Sequence, residues 1–296
     1  MEIGEKIKRL RSAKLMTQAE LAGSEITRNM LSRIENGAAQ PSMSTVKYIA
    51  ERLGVSPGFL LAGEDDEQLY FKSQEIENIK KLYSHKNFRL CMDICKNSEW
   101  RDDELLLIEA ESCLRVGAEE FSAGNLHAAA ELFEQALECS SKTIYNTDVI
   151  VCEISSYFEY MRLISPTFYS DFEYEEQGKR LMLTGNRFSV YAGIFCEAET
   201  TALSEMAFLK ERMDLLDADS SYALHINARL MMEQENFEGA NQALHKLLFD
   251  DSFDFPEPML YFVFCDLEIC CKETGDFKGA YEYSGNKITL LQKLLS

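Results

Sequence analysis

The stretch from Thr27 to Gly37, Thr-Arg-Asn-Met-Leu-Ser-Arg-Ile-Glu-Asn-Gly, decides the fold of the N-terminal part of this 296-residue chain. At helical periodicity it has two different faces. One stripe carries Arg28, Asn29, Ser32, Arg33 and Asn36, and the other carries Met30, Leu31 and Ile34. Thr27 suits a helix N-cap, and Gly37 can take the left-handed conformation that ends a helix.

The polar stripe of this helix has side chains that suit a DNA major groove. Arginine pairs with guanine there, and asparagine pairs with adenine. An ordinary amphipathic surface helix would show the same two faces. The rest of the sequence is therefore needed to distinguish a DNA-reading helix from a surface helix.

Charge is distributed unevenly along the chain. The formal net charge is -20, but residues 1–63 hold nine Lys and Arg against six Glu and no Asp, so that segment is basic. The remainder is strongly acidic, which indicates two parts with separate roles. An acidic body is either a solubility device or a binding surface, and it would also disfavour contact with DNA phosphates outside the head.

All nine cysteines lie in the acidic part. Their number is odd, their spacing is irregular, and neither a signal peptide nor a long apolar segment precedes them. We therefore expect reduced structural thiols in a cytoplasmic protein that does not enter a membrane. A metal or redox role for the Cys91/Cys95 and Cys270/Cys271 pairs is the alternative, but no histidine cluster supports it, and we expect neither a metal nor a cofactor.

Capping and stop signals divide the head into five short helices. Residues 3–14 form the first, and the capping box Thr17-Gln18-Ala19-Glu20 starts the second. Residues 27–37 form the third. Ser42 caps the fourth, which Gly54 ends, and Ser56-Pro57 starts the fifth.

Two charged residues of the head fall on inward helix faces. Arg11 lies four residues after Ile7, and Glu35 lies four after Leu31. Because inward charges need partners, the pattern predicts an Arg11–Glu35 ion pair, with two solvated charges as the alternative.

Several motifs of the head occur in a familiar order. They are Thr17-Gln18-x-Glu20-Leu21-Ala22, Leu31-Ser32-x-Ile34-Glu35-Asn36-Gly37, Pro41-Ser42 and Leu53-Gly54-Val55-Ser56. This order resembles the lambda-repressor and Cro type of helix-turn-helix, the XRE family. The resemblance implies that the third helix reads the major groove of a two-fold operator in double-stranded DNA.

The resemblance also implies roles for individual residues. Arg28, Asn29 and Arg33 match base-contacting positions, Gln18 matches a phosphate contact, and Asn36 lies where the next loop approaches the DNA backbone. The full set of candidate DNA-binding residues is Gln18, Thr27, Arg28, Asn29, Ser32, Arg33 and Asn36. One departure stands out, because Gly23-Ser24-Glu25-Ile26-Thr27 replaces the family's usual Leu-Gly-Val-Ser turn.

Beyond the head, the turns between helices show a repeat. Asn87-Phe88-x-x-Cys91, Asn125-Leu126-x-x-Ala129, Asn236-Phe237-x-x-Ala240 and Asp276-Phe277-x-x-Ala280 share one pattern at intervals of 38, 111 and 40 residues. Gly117, Gly124, Ala129, Phe133 and Ala136 match the small and large positions of a tetratricopeptide repeat. A helix-pair solenoid has this period. A generic helical bundle is the alternative.

The predicted architecture is all-α. A five-helix lambda-repressor-like DNA-binding domain (1–63) and an acidic linker (64–70) precede a tetratricopeptide-type right-handed helical solenoid (71–296) of about six helix pairs. Breaks between helices are expected near Pro166, Gly185 and Asp217.

The first helices of such a solenoid line a concave surface that suits extended peptides. The repeat register directs Tyr222, His225, Arg229 and Glu233 into that surface, with Asn227 nearby. Asn146, Glu153 and Asn186 are further candidates from the less regular middle. Asparagine offers an extended backbone both a donor and an acceptor, although each residue could instead be a solvated helix position.

A helix-turn-helix head with a tetratricopeptide body is similar to the peptide-pheromone-responsive Rap/Rgg/NprR/PlcR/PrgX regulators. That resemblance implies a cytoplasmic homodimer whose response to a short peptide changes DNA binding. The rival reading is a DNA-binding regulator whose repeats only dimerise or bind protein. We do not expect an enzyme, because the chain has no phosphate-binding glycine loop, zinc-binding histidine pair or nucleophile elbow.

Overall fold

The computed structural model describes residues 2–168, 186–200 and 212–296, which fold into two compact units, Met1–Lys81 and Leu82–Ser296. Every regular element in the described residues is helical. The first unit opens with α1 (Ile3–Ala13), α2 (Gln18–Ala22), α3 (Arg28–Glu35), α4 (Met43–Leu53) and α5 (Pro57–Leu61). The five helices predicted for the head are therefore all present.

Side-chain caps start four of these helices. The Thr17–Glu20 capping box is complete: the Thr17 N–H donates to Glu20 Oε2 over 2.6 Å, and the Glu20 N–H donates to Thr17 Oγ1 over 3.1 Å. Thr27, Ser42 and Ser56 cap α3, α4 and α5 in the same way. Each cap satisfies a backbone N–H that has no partner within its helix.

The core of the first unit is aliphatic apart from one aromatic ring. Its fully buried side chains include Ile7, Leu21, Leu31, Ile34, Val46, Ile49, Leu53 and Phe59. Met30, predicted to pack with Leu31 and Ile34, is instead 38% exposed. Met30 lies at the edge of the apolar stripe of α3, a helix of only eight residues, and this edge is open to solvent.

Residues 64–70, predicted as a linker, lie in helix α6 (Glu64–Ser84). The charged segment contains neither glycine nor proline, so nothing in its backbone chemistry stops a helix. The acidic composition of this segment indicated a linker, but it did not exclude helical structure.

The second unit continues with helical pairs. Its described helices are α7 (Phe88–Asn97), α8 (Asp103–Ser122), α9 (Leu126–Lys142), α10 (Asp148–Ile164), α11 (Arg187–Thr200), α12 (Ser221–Glu233), α13 (Phe237–Phe249), α14 (Glu257–Glu273) and α15 (Phe277–Leu294), with a 3₁₀ turn at Met213–Leu215. The predicted breaks near Pro166 and Asp217 fall between helices. Gly185 and part of the six-pair count lie outside the described residues.

The four repeat motifs occupy equivalent turns. Helices α7, α9, α13 and α15 each begin directly after the motif's Asn or Asp. The residue before that Asn or Asp has a left-handed backbone in all four turns: Lys86, Gly124, Glu235 and Gly275, with φ of 61°, 84°, 59° and 79°. The turns therefore repeat in backbone conformation as well as in sequence.

The pair α8/α9 shows why the repeat needs small residues. A Cβ added at Gly117 would lie 2.6 Å from Phe133 Cε1, so only glycine allows this ring to lie against α8. Phe133 and Ala136 are fully buried. This pair matches the predicted tetratricopeptide unit.

Helices α8, α10, α11, α12 and α14 meet in an aromatic cluster. Its rings come from Phe121, Tyr157, Tyr160, Phe188, Tyr191, Phe195, Tyr222 and Phe262, with centroid separations such as 4.7 Å for Tyr157–Phe188 and 4.8 Å for Tyr191–Tyr222. Ring contacts at these distances add to the energy of burial. This cluster joins the inner helices.

The structure describes all nine cysteines as free thiols, seven of them buried. Burial raises the pKa of Cys113 to about 12 and that of Cys139 to about 11, which keeps both protonated and unreactive. Among the described residues, no group of three or more His, Cys, Asp or Glu is arranged to hold a metal ion. No helix in these ranges has the length and apolar composition needed to cross a membrane.

Candidate nucleic-acid interface and candidate peptide site

Helix α3 presents an exposed polar face. Arg28, Asn29, Arg33 and Asn36 are exposed, Ser32 is half-buried, and Thr27 caps the helix through a 3.1 Å bond from the Met30 N–H. The opposite face is held by Leu31 and Ile34, which are buried. The side chains predicted to read DNA are therefore free to reach a groove from a helix whose other face is fixed.

A buried carboxylate anchors α3. Arg11 donates from Nε to Glu35 Oε1 over 2.7 Å and from Nη2 to Glu35 Oε2 over 3.1 Å, so the predicted ion pair is present and bidentate. Gln18 Nε2 also donates to Glu35 Oε2 over 2.8 Å. Because these three residues lie on α1, α2 and α3, one carboxylate fixes the positions of three helices.

The Gln18 amide therefore already has a partner inside the protein. One of its two N–H donors binds Glu35, which leaves the other donor for a phosphate. Sequence reasoning gave Gln18 only a DNA contact, and it missed this second role because the contact joins residues 17 apart in the chain.

The unusual turn between α2 and α3 depends on Gly23. Its φ of 57° is left-handed, and a Cβ there would lie 2.3 Å from Tyr48 Oη. Tyr48 donates to the Ala22 carbonyl over 3.0 Å, and Arg52 Nη2 donates to the Glu20 carbonyl over 2.5 Å. Helix α4 thus binds the end of α2 and sets where the turn can run.

In the second unit, two of the predicted peptide-binding residues meet at one point. Asn186 Nδ2 donates to Glu153 Oε2 over 3.1 Å, and Arg115 Nη1 lies 3.3 Å from the same oxygen. We call Glu111, Arg115, Glu153 and Asn186 the Glu153 cluster. Burial raises the pKa of Glu153 despite the opposing effects of Asn186 and Arg115, and about a third of the Arg115 side chain remains exposed.

A second group of predicted residues forms a buried hydrogen-bonded chain. Asp266 accepts from Arg229 Nε and Nη2, each over 2.8 Å, and lies 2.9 Å from His225 Nε2. His225 Nδ1 lies 2.8 Å from the Tyr191 hydroxyl, which lies 3.3 Å from that of Tyr160. We call Tyr160, Tyr191, His225, Arg229 and Asp266 the Asp266 network.

The network has one consistent set of protonation states. Burial lowers the pKa of His225, so its ring is neutral, with Nε2–H donating to Asp266 and Nδ1 accepting from Tyr191. The pKa of Asp266 is also lowered, since its two partners outweigh the cost of burial. The prediction that His225 lines an open groove is wrong: His225 is fully buried, and aromatic rings from α11 cover the position that the register assigned to the concave surface.

The remaining predicted residues are dispersed. Tyr222 is half-buried and stacks on Tyr191, Asn227 is half-buried, and Glu233 is exposed near the end of α12. Asn146 is exposed and binds its own neighbours: its Oδ1 accepts from the Asp148 N–H over 3.0 Å, which forms a turn at the start of α10. Asn146 therefore has a local structural role.

Arg115 and Asp266 complete the two clusters, yet sequence reasoning did not select them. Arg115 lies on α8, outside the degenerate middle, and Asp266 lies on α14, two helices after α12, whose register was projected. A search for charged residues at inward repeat positions of every helix could have found both.

Comparison with known proteins identifies the first unit. Residues 7–60 match the family profile HTH_3, described as helix-turn-helix. The first unit contains a helix-turn-helix domain. The exposed side of α3 is the polar face of this domain, and the match agrees with the XRE resemblance of the sequence.

Two curated relatives match stretches of about 85 residues. The HTH-type transcriptional activator BcrR of Enterococcus faecalis is 34% identical over 86 residues, which cover 29% of this chain and 42% of BcrR. The immunity repressor protein of Bacillus phage phi105 is 32% identical over 85 residues, covering 27% of this chain and 59% of the repressor. The chain thus spans about half the length of these relatives, which are transcription regulators rather than enzymes.

Solved structures resemble the chain over nearly its full length. The PrgX/iCF10 complex shares 14% identity and a TM-score of 0.33, covering 98% of this chain and 96% of PrgX. Bacillus thuringiensis PlcR in complex with the peptide PapR7 and DNA shares 16% identity and a TM-score of 0.28, with 99% and 96% coverage.

Proposed function

We propose that the chain is a sequence-specific DNA-binding transcriptional regulator that reads DNA with α3. The main support for this proposal is that Arg28, Asn29 and Arg33 are exposed on one face of a helix that Glu35 holds in place. Two arginines and an asparagine can specify guanine and adenine, and the basic balance of residues 1–63 favours phosphate contact. Gln18, Thr27, Ser32 and Asn36 flank this face and would position it on the backbone.

The test begins with selecting bound sequences from a random DNA library with the full chain. Arg28→Ala and Arg33→Ala should each lose roughly 1 to 3 kcal/mol of discrimination between the selected site and a single-base variant. Gln18→Ala should weaken binding to all sequences alike.

Lys8→Ala is the matched control, because it removes an exposed cation of α1 without touching α3. It should leave the discrimination between sites unchanged, whatever it does to overall affinity. Equal losses on selected and random DNA for both α3 arginine variants would refute base reading.

We further propose that the second unit binds a short peptide at the Glu153 cluster. Its carboxylate, amide and partly exposed guanidinium offer an extended backbone both donors and acceptors within about one residue's length. Tyr222, Asn227 and Glu233 would extend the site along α12, and the peptide would change DNA binding. Arg229 is held by Asp266 and would support this helix from within.

Native mass spectrometry of the protein purified from its own host tests this proposal, because a bound peptide adds a defined mass. Asn186→Ala should release that mass and leave folding intact. A protein that carries no peptide, and whose DNA affinity no host peptide extract changes, would favour the rival function of a regulator whose repeats only bind protein.

The proposal includes a homodimer that acts in the cytoplasm on a two-fold operator. Two copies of α3 would then contact half-sites about one DNA turn apart. Selected sequences should accordingly contain an inverted repeat, and sites with a single half should bind more weakly.

A further inference from the structure

Met30 is an apolar side chain of α3 that the core of the first unit leaves exposed. Leu31 and Ile34 on the same helix are buried, whereas Met30 is 38% exposed. It is the third residue of α3 and follows Arg28 and Asn29 directly. An apolar side chain therefore lies in water among the side chains to which the proposed function gives base reading.

Exposure alone does not give Met30 a role, because single apolar residues are common on protein surfaces. In the same unit, Leu15 is 92% exposed, Met43 56% and Leu61 50%. These three residues lie outside α3. What distinguishes Met30 from them is its position on the helix that carries the polar reading face.

Helical geometry places Met30 beside Arg33. Because an α-helix turns by about 100° per residue, side chains three positions apart lie within about 60° of each other around the axis. Their Cβ atoms are then neighbours, about 5 to 6 Å apart. Successive base pairs of DNA are separated by about 3.4 Å. When Arg33 contacts one base pair in the groove, the Met30 side chain is therefore within reach of the next.

The N-terminal cap holds the backbone of α3 at Met30. The Met30 N–H donates to Thr27 Oγ1 over 3.1 Å, and the next residue, Leu31, is fully buried. In helix-turn-helix domains the N-terminal residues of the recognition helix contact base edges, and Met30 lies in this first turn. The backbone is thus fixed, while the flexible methionine side chain can adjust to the surface that it meets.

We infer that Met30 is a specificity-determining residue, which contacts the C5-methyl group of a thymine next to the base pair that Arg33 reads. This inference rests on the proposed DNA reading by α3 and adds an apolar contact to its hydrogen bonds. Thymine presents a methyl group in the major groove, and apolar side chains recognise it by contact. The thioether has no donor and is only a weak acceptor, so it would leave the polar groups of other bases unpaired.

The test uses the full chain and the site selected from the random library, with each thymine replaced in turn by deoxyuridine, which lacks only the C5-methyl group. Replacing the thymine beside the guanine assigned to Arg33 should weaken wild-type binding about four-fold, the loss expected for one buried methyl group. Met30→Ala should bind the thymine and deoxyuridine sites equally. Met30→Leu should retain the preference for thymine, because leucine keeps an apolar side chain of similar size.

Met43→Ala is the matched control, because it truncates an exposed methionine of α4 and leaves α3 unchanged. It should keep the wild-type preference for thymine, whatever it does to overall affinity. Circular dichroism should show all three variants folded, since both methionines are exposed.

Three results would overturn the role of Met30 while leaving base reading by Arg33 in place. They are a selected site without a thymine beside that guanine, equal wild-type affinity for thymine and deoxyuridine there, and a preference for thymine that persists in Met30→Ala. A library that yields no preferred sequence would overturn the proposed DNA reading and this inference together.

Discussion

At the scale of single residues, Glu35 has the largest structural role in the first unit. Its fully buried carboxylate accepts two bonds from Arg11 and one from Gln18. Removing it leaves the Arg11 guanidinium, itself only 13% exposed, without its counter-charge. We expect Glu35→Ala to lower the free energy of unfolding of the first unit by roughly 3 to 5 kcal/mol, measured by urea denaturation.

Glu51→Ala provides the comparison for Glu35→Ala. Glu51 is an exposed acid on α4, so its loss should change the unfolding free energy by no more than about 0.5 kcal/mol. If the two variants unfold at the same urea concentration, the carboxylate at position 35 contributes no more than a surface charge does.

Periodicity predicted which face of α3 packs and which is exposed, and it also predicted the Arg11–Glu35 pair. It placed Met30 and His225 wrongly for two different reasons. Met30 lies on the boundary between stripes, where angle alone cannot assign burial. His225 lies at a correct inward position, but the aromatic rings that bury it come from α11, about 30 residues away in the chain. A repeat register predicts the direction in which a side chain points. It does not predict which other side chains fill the space there.

At the scale of elements, the four equivalent turns differ in how well their residues suit the backbone. Gly124 and Gly275 adopt positive φ without strain, whereas Lys86 and Glu235 adopt it with a Cβ. Replacing Glu235 by glycine should remove that strain, and the greater entropy of the unfolded chain offsets part of the gain. We expect Glu235→Gly to stabilise the second unit by up to about 1 kcal/mol in urea denaturation.

Gly275→Ala is the converse change at an equivalent turn. A Cβ there would meet no atom within 4 Å, so backbone strain alone should act. The variant should lose about 1 kcal/mol of unfolding free energy. Stabilisation by alanine at this position would contradict the strain assigned to the turns.

The Asp266 network makes the packing of α11, α12 and α14 sensitive to acid. The folded protein keeps His225 neutral because burial lowers its pKa, whereas the unfolded chain binds a proton below its ordinary pKa of 6.5. The contribution of neutral His225 to the free energy of unfolding is therefore fully present above pH 6.5. It is lost as the pH is lowered toward the pKa of His225 in the folded protein. The lowered pKa of Asp266 acts only below its ordinary value of 3.8, outside this window.

We expect the wild type to lose up to about 2 kcal/mol of unfolding free energy between pH 7 and pH 5, from His225. His225→Gln should be less stable at pH 7 but should lose less between the two pH values. His127→Gln, at an exposed histidine, should retain the wild-type slope. Parallel slopes for the wild type and His225→Gln in urea titrations would show that another group causes the acid sensitivity.

The sequence predicted helix starts well where capping residues mark them. It predicted side-chain clusters poorly where contacts between distant residues form them. Every helix start in the head has a side-chain or proline signal, except that of α1. The repeat turns were equally clear, since an Asn or Asp marks each of them. The Glu153 cluster was only partly predictable, because its Arg115 contact joins residues 38 apart.

For the whole molecule, the chain divides into two units with separate hydrophobic cores. The core of the first unit centres on residues such as Leu31 and Ile49, and that of the second extends from Ala110 to Leu294. Separate cores can unfold as separate cooperative transitions. The first unit has as many basic as acidic residues and the second is strongly acidic, so they should respond differently to salt.

Calorimetry of the full chain should therefore show two transitions, and core substitutions should assign them. Leu31→Ala creates a cavity in the first core and should cost about 2 to 5 kcal/mol, while Phe133→Ala should cost about 3 to 5 kcal/mol in the second. Each substitution should lower one transition temperature, by about 10 °C for Phe133→Ala, and leave the other in place. If either variant lowers both transitions equally, the two cores unfold as one, and the division of the chain at residue 81 does not describe its folding.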